Sequence, residues 1–274
     1  MPKLIENARH RASAPSHDGE GASPRPTGPS RARCRARAKT LLTILAALVL
    51  APLTVVVGMG IPGNGYYLSG TLIVLYAIVP FFVAFEGRRP TAREIAVVAV
   101  LTALAVAARA AFVWVPHFKP MAAIIMIAGI AAGPQTGFLV GSVAALASNF
   151  IFGQGPWTPW QMLAFGVAGL VAGLLADARV FPRANLSWPR RVALAVTGFV
   201  LIVGLAGPIL DTSTFFYLST APTPELAATV YLAGLPVNAI HGAATALTLL
   251  VVANPLLDQL DRVRVKYGLL NRSR

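Results

Sequence analysis

Apolar runs of membrane-crossing length recur along this chain: Leu41–Met59, Thr71–Phe85, Ile95–Val115, Gln161–Ala176 and Val192–Leu210. A hydrocarbon layer about 30 Å thick is crossed by about 20 helical residues, and inside it every backbone N–H and C=O must be paired within its own segment. Helices are therefore the only form these runs can take. The chain is 56% hydrophobic and 12% charged, against roughly 25% charged in soluble domains. A soluble fold of this size could not bury so many apolar faces, so the fold class is all-α, a polytopic membrane helical bundle. Cys34 is the single cysteine, which excludes an internal disulfide and any cysteine-based metal cluster.

The net charge of +13 resembles a nucleic-acid signal until its placement is read. Residues 1–39 hold nine Lys/Arg in a Pro-, Ser-, Gly- and Ala-rich stretch without apolar periodicity, which reads as a disordered basic tail. The remaining basic residues cluster at 88–93, 179–191 and 262–274, leaving Arg109 and Lys119 as the two exceptions. Basic flanks stay cytoplasmic, so this is a topology signal and no nucleic-acid partner is expected. The same rule settles residues 119–152, a stretch of 34 residues. One helix there would put an odd number of crossings between the clusters at 88–93 and 179–191, and one cluster would face outward. Two short helices split at Gly133-Pro134 keep both inside. Eight helices are expected, at about 40–59, 69–86, 92–115, 119–132, 135–152, 161–177, 191–210 and 225–256, within about 2–4 residues. Both termini are expected in the cytoplasm of a multi-pass plasma-membrane protein. A cleaved signal peptide over residues 1–59 is rejected, because its basic region would be far too long.

Several chemistries lack their residues. No GxxxxGK[ST], HExxH, GxSxG or paired-carboxylate motif occurs. No carboxylate is expected inside the membrane, with Asp177 and Asp211 at helix ends, so no proton relay is expected either. Three features remain. The segment Phe152–Gln161, FGQGPWTPWQ, is a short stiff aromatic cap on the outer mouth of the bundle. The aromatic run Phe215-Phe216-Tyr217, expected in an external segment at 211–224, could form a second lid. On helix 92–115, Ala99, Ala103, Ala107 and Ala111 recur every four residues, a surface that lets another helix approach closely.

From about residue 88 onward the chain resembles the substrate-binding S component of an energy-coupling factor (ECF) vitamin transporter. The matching stretches are PTAREIAVVAVLTALAVAARAAF, IIMIAGIAAGPQTGFLVGSVAALASNF, FGQGPWTPWQMLAFGVAGLVAGLL and LPVNAIHGAATALTLLVVANPLLDQLDRVRVKYGL. The resemblance implies a six-helix S-component core over 90–270, preceded here by two additional transmembrane helices within 40–89. It implies that Ala99, Ala103 and Ala107 dock onto a transmembrane coupling subunit, and that two ABC ATPases supply energy. It further implies a vitamin or cofactor precursor held near the outer face. The branch it most resembles carries cobalamin or a corrinoid, with a riboflavin-like cargo as the alternative. No bound cofactor or metal is implied.

The residues expected to line that site are Arg109, Asn149, Gln154, Trp157, Trp160, Gln161, Asn238 and His241, with Thr158 beside them in the cap. Arg109 lies about 24 Å up its helix from the cytoplasmic end. A ligand's anion or carbonyl would account for it, and so would snorkelling or an internal partner. Tyr231, Asn238, His241, Thr245 and Thr248 share one helical face. They either line the pocket or satisfy one another and a neighbouring helix such as the one bearing Asn149. With no carboxylate at depth, a cationic cargo such as thiamine is disfavoured. The expected protein is not an enzyme; the rival readings are a membrane enzyme using His241 and a ligand-free scaffold.

Overall fold

The computed structural model describes residues 65–87, 90–218 and 223–267, together with 50, 53, 54, 57 and 61. The expected tail at 1–39 lies outside the described residues. So does most of the expected helix at 40–59, of which Leu50, Leu53, Thr54 and Val57 are helical. The described helices are α1 (Gly65–Glu86), α2 (Ala92–Ala111), α3 (Met121–Ala132), α4 (Pro134–Phe152), α5 (Thr158–Asp177), α6 (Trp188–Leu201), α7 (Gly207–Leu218) and α8 (Pro224–Tyr267). A π-helical turn, Ile202–Ala206, joins α6 to α7 without a break. Six helical segments among the described residues are long and apolar enough to cross a membrane: 67–86, 92–111, 134–152, 158–177, 188–218 and 224–266. The architecture is an all-α, multi-pass membrane bundle.

Local chemistry sets the element ends. Thr91 caps α2 with a capping box: its hydroxyl accepts from the Glu94 N–H at 3.3 Å, and Glu94 accepts from the Thr91 N–H at 2.8 Å. Gly133 has φ +98°, a conformation that L side chains rarely adopt, and Pro134 starts α4 with its φ already set. These two residues cut the 119–152 stretch into α3 and α4. At 12 residues, α3 is about 18 Å long. With the stretch before it, it runs from the cap end of the bundle toward Arg183, and Met121–Ile130 are all buried among the other helices. A Cβ at Gly129 would lie 2.1 Å from the Gly169 carbonyl oxygen, and one at Gly169 would lie 2.3 Å from that of Gly137. Backbone therefore meets backbone at the centre of α3, α4 and α5, the close approach that small residues permit inside a membrane.

Two boundaries differ from expectation. The helix expected at 191–210 runs from Trp188 to Leu218, so most of the expected external segment 211–224 is helical. Pro208 has no N–H to give Gly204, and the ladder widens to a π turn just before it. The helix then continues because the polar residues beyond Leu210 find partners within the bundle. The last helix reaches Tyr267 instead of 256 and carries Pro236 and Pro255 inside it. Both prolines therefore lie within a continuous helix.

The additional helix α1 is joined to the core. Val74 and Ile78 are buried, and the Phe81 ring stacks on Phe138 of α4 at 3.8 Å between centroids. At the other end of the bundle, Arg183 donates to the Ile130 carbonyl at 3.0 Å and pairs with Asp177, which fastens the end of α3 to the α5–α6 connection.

Candidate functional site

The residues of interest gather at the end of the bundle opposite Arg179–Arg191, where α2 and α4 finish and α3 and α5 begin. Asn149 is the hub. Its Oδ1 accepts from Arg109 Nη1 at 3.0 Å, and its Nδ2 donates to Gln161 Oε1 at 2.7 Å and to Thr158 Oγ1 at 3.0 Å. Thr158 donates to Gln154 Oε1 at 2.9 Å, and Gln154 Nε2 donates to the Leu146 carbonyl at 3.1 Å. A continuous set of hydrogen bonds thus runs from the last turn of α2, through α4, into the cap and the first turn of α5. Burial explains why the Asn149 amide is fully paired, since an unpaired amide in an apolar bundle costs about 1–3 kcal/mol.

Arg109 is 8% exposed, and Nη1 also donates to Ser148 Oγ. Its Nε is buried with no hydrogen-bond partner among the described residues. The guanidinium carbon lies 4.6 Å from the centroid of the Phe152 ring, and Lys119 Nζ lies 5.8 Å from the same centroid. A ring face supplies partial negative charge to both cations. Lys119 precedes α3 in a non-helical stretch, where burial first and the Arg109 charge second push its ammonium below the ordinary lysine value.

His241, on α8, packs its ring against Phe165 at 5.7 Å between centroids. Its Nε2 is also buried without a hydrogen-bond partner among the described residues. The charged or titratable neighbours that act on it are Lys119, Arg109 and His117.

Other expected site residues face elsewhere. Trp160 points to the opposite side of α5, where it donates to Thr71 of α1 at 3.3 Å and meets Phe216 of α7 at 6.1 Å. Trp157 is 44% exposed, with its ring lying over Gly155. Asn238 donates to Asp211 Oδ2 at 2.8 Å, away from the Asn149 set. Tyr231 shares a hydrogen bond of 2.7 Å with Thr212, and Thr245 and Thr248 bond back to carbonyls of their own helix. The polar face of α8 is therefore divided between α7 and itself, and none of these residues bonds Asn149.

Asp211 lies on a helix and not in the external segment expected at 211–224. It lies seven residues before the end of α7 at Leu218, about 10 Å along the helix. The apolar run stops at Leu210, which is why the sequence suggests a loop there. The Asp211 carboxylate also abuts the Gly234 backbone, where a Cβ would lie 2.5 Å from its oxygens.

Ser148, Phe152 and Lys119 join the expected residues at this site. Lys119 had a signal, because it and Arg109 were the two basic residues outside the flanking clusters. Ser148 and Phe152 had none, since only the fold brings them to Arg109. The alanines at 99, 103, 107 and 111 are all exposed on the open face of α2. No group of three or more His, Cys, Asp or Glu residues that could hold a metal ion occurs among the described residues.

Comparison with known proteins agrees with this architecture. A family described as the ECF-type riboflavin transporter, S component, matches residues 90–262, which is more than half of the chain. A UPF0397 protein of Vibrio atlanticus (strain LGP32) is 30% identical over 104 residues, 37% of this chain and 53% of that protein. The chain thus spans about half the length of the curated relative it matches. No solved structure matches. The family match is to a riboflavin type, so it does not support the cobalamin branch and favours the riboflavin-like alternative. The matched segment begins just before the capping box of α2 and ends within α8, enclosing the whole Arg109–Asn149–cap network, and the chain belongs to the family of ECF-type riboflavin transporter S components.

Proposed function

We propose that this protein is the substrate-capturing membrane subunit of an ECF-type importer, and that its cargo is riboflavin or a closely related flavin. The observation that carries the reading is the family match over residues 90–262. The network at one end of the bundle supports it with a rigid floor of donors and acceptors beneath an aromatic cap. Arg109, Asn149, Gln154, Gln161 and Thr158 form the polar wall, and His241 approaches from α8. Trp157 is the movable part of the cap, while Trp160 braces it from behind. Amides suit a flavin, whose ring system presents carbonyl oxygens and ring nitrogens that pair with donors and acceptors in one plane.

The positive-inside rule places the basic stretches at 179–191 and 262–274 in the cytoplasm, with both termini, and puts the cap outside. The exposed Ala99, Ala103 and Ala107 provide the face for a transmembrane coupling subunit, which two ABC ATPases drive. Loaded protein delivers its cargo when that module turns over. The family is one of transport subunits, so His241 is assigned no catalytic role.

Equilibrium binding by the full chain in neutral detergent, without ATPases, tests this. Saturable quenching of riboflavin fluorescence with a dissociation constant below the micromolar range is expected. Saturation by another vitamin and none by riboflavin would replace the cargo, and no binding across a vitamin panel would end the capture reading.

A further inference from the structure

Arg109 and Lys119 are close enough to share one aromatic ring, yet neither makes a salt bridge among the described residues. Two like charges together in a low-dielectric region repel, and each loses hydration. Such an arrangement is costly unless something supplies the counter-charge. The surrounding side chains do not. Ser148 and Asn149 offer neutral oxygens to Nη1 alone, and His241, approaching from α8, supplies no negative charge. Asp211, the carboxylate on the neighbouring helix, is engaged by Asn238.

A donor is also left over. Arg109 Nε is buried without a partner among the described residues, while Nη1 of the same guanidinium is paired. A buried donor without an acceptor costs more than an exposed one. A guanidinium edge presents parallel N–H bonds whose geometry matches a carboxylate or phosphate. Lys119 supplies a point charge from the loop that ends at Pro120.

From this juxtaposition of two cations without a carboxylate partner and an orphaned guanidinium donor, we infer that the site recognises an anionic group on its ligand, a carboxylate or a phosphate. The inference rests on the capture reading above but narrows it. The preferred flavin is an acidic one, such as the 5′-phosphate, and a neutral ligand leaves the cation pair unsatisfied. Arg109 meets the anion with the edge that includes Nε, Lys119 meets it from the loop, and Asn149 holds the guanidinium in position.

The test compares riboflavin with riboflavin 5′-phosphate on the full chain in neutral detergent. Expected is an affinity ratio of about tenfold or more in favour of the phosphate, a gap that one charge-assisted contact supplies. The ratio should fall toward one in Arg109→Gln and in Lys119→Gln. The lysine variant matters because Arg109 also ties α2 to α4 and its loss could disturb the fold. Equal affinities in the wild type, or a preference that survives Lys119→Gln, would overturn the inference.

A second arm decides the matter if no flavin binds, which would count against the cargo reading. Inorganic phosphate should raise the thermal midpoint of the wild type and not that of Lys119→Gln. Absence of that difference overturns the anion site whatever the cargo is. A third arm replaces phosphate with phosphatidylglycerol in mixed micelles. A Lys119-dependent shift with the lipid and none with phosphate or the flavin phosphate would assign the cations to a headgroup, and also overturn it.

Discussion

Asn149 connects three helical segments through one side chain, so a single substitution tests whether the network is structural. Its amide accepts one bond from a cation and donates two to neutral oxygens. Leucine at that position would fill similar volume and leave Arg109 Nη1, Thr158 and Gln161 each short of a partner. Hydrogen bonds to charged groups are worth about 1.5–3 kcal/mol, and interhelical bonds in membranes often less. Asn149→Leu should therefore lower stability by about 2 kcal/mol, read as a fall in thermal midpoint of about 4–8 °C in detergent. Asn149→Asp is the informative control. Its carboxylate still accepts from Arg109 and supplies the counter-charge, so it should retain most of that stability while losing binding of any anionic ligand. A midpoint for Asn149→Leu within a degree of wild type would mean that the three segments hold together without the amide.

The exposed side of α2 has a different logic. Leu101, Thr102, Ala105 and Arg109 face the bundle, while Ala99, Ala103, Ala107 and Ala111 face away from it. A helix meant to meet only lipid gains nothing from small residues, because hydrocarbon chains accept leucine as readily as alanine; a helix meant to meet another backbone does gain. Ala103→Leu with Ala107→Leu should leave ligand affinity and thermal midpoint unchanged, since neither side chain touches the core. Uptake by the assembled importer should fall by about tenfold or more, as loss of a close helix contact of about 1.4 kcal/mol or greater implies. Loss of ligand binding in the double variant would remove the docking assignment.

Across the whole molecule, α1 raises the question of whether the core is complete at residue 90, where the family match starts. The contacts say that the core leans on α1. Phe81 stacks on Phe138, Thr71 accepts from Trp160, and Gln135 Nε2 donates to the Phe81 carbonyl at 3.4 Å. In a membrane this contact is held by packing and polar bonds, because lipid would cover the exposed face of α4 and α5 without a hydrophobic penalty. A chain lacking residues 1–89 should still insert, with a thermal midpoint lower by several degrees. Its cap should be looser, read as faster ligand dissociation, since Trp160 then loses its brace. Unchanged stability and dissociation would make α1 a passive attachment.

Much of this organisation was legible before any coordinates. The length of the apolar runs demanded helices, because unpaired backbone is intolerable in hydrocarbon. Counting crossings between basic clusters required the break at Gly133-Pro134, because charge near the membrane surface follows a sidedness rule. Both depend on properties that act along the chain, and a sequence records those directly. What the chain could not record was direction around each helix axis. Trp160 and Gln161 are neighbours in sequence, yet one bonds α1 and the other α4. Asn238 and His241 share a face of α8, yet one reaches Asp211 and the other approaches Lys119. Asp211 looked like the start of a loop until α7 continued past it. In each case the outcome was settled by which helix packs alongside, and the enclosure of α3 and the pairing of Arg109 with Lys119 over Phe152 arise only once the segments are assembled.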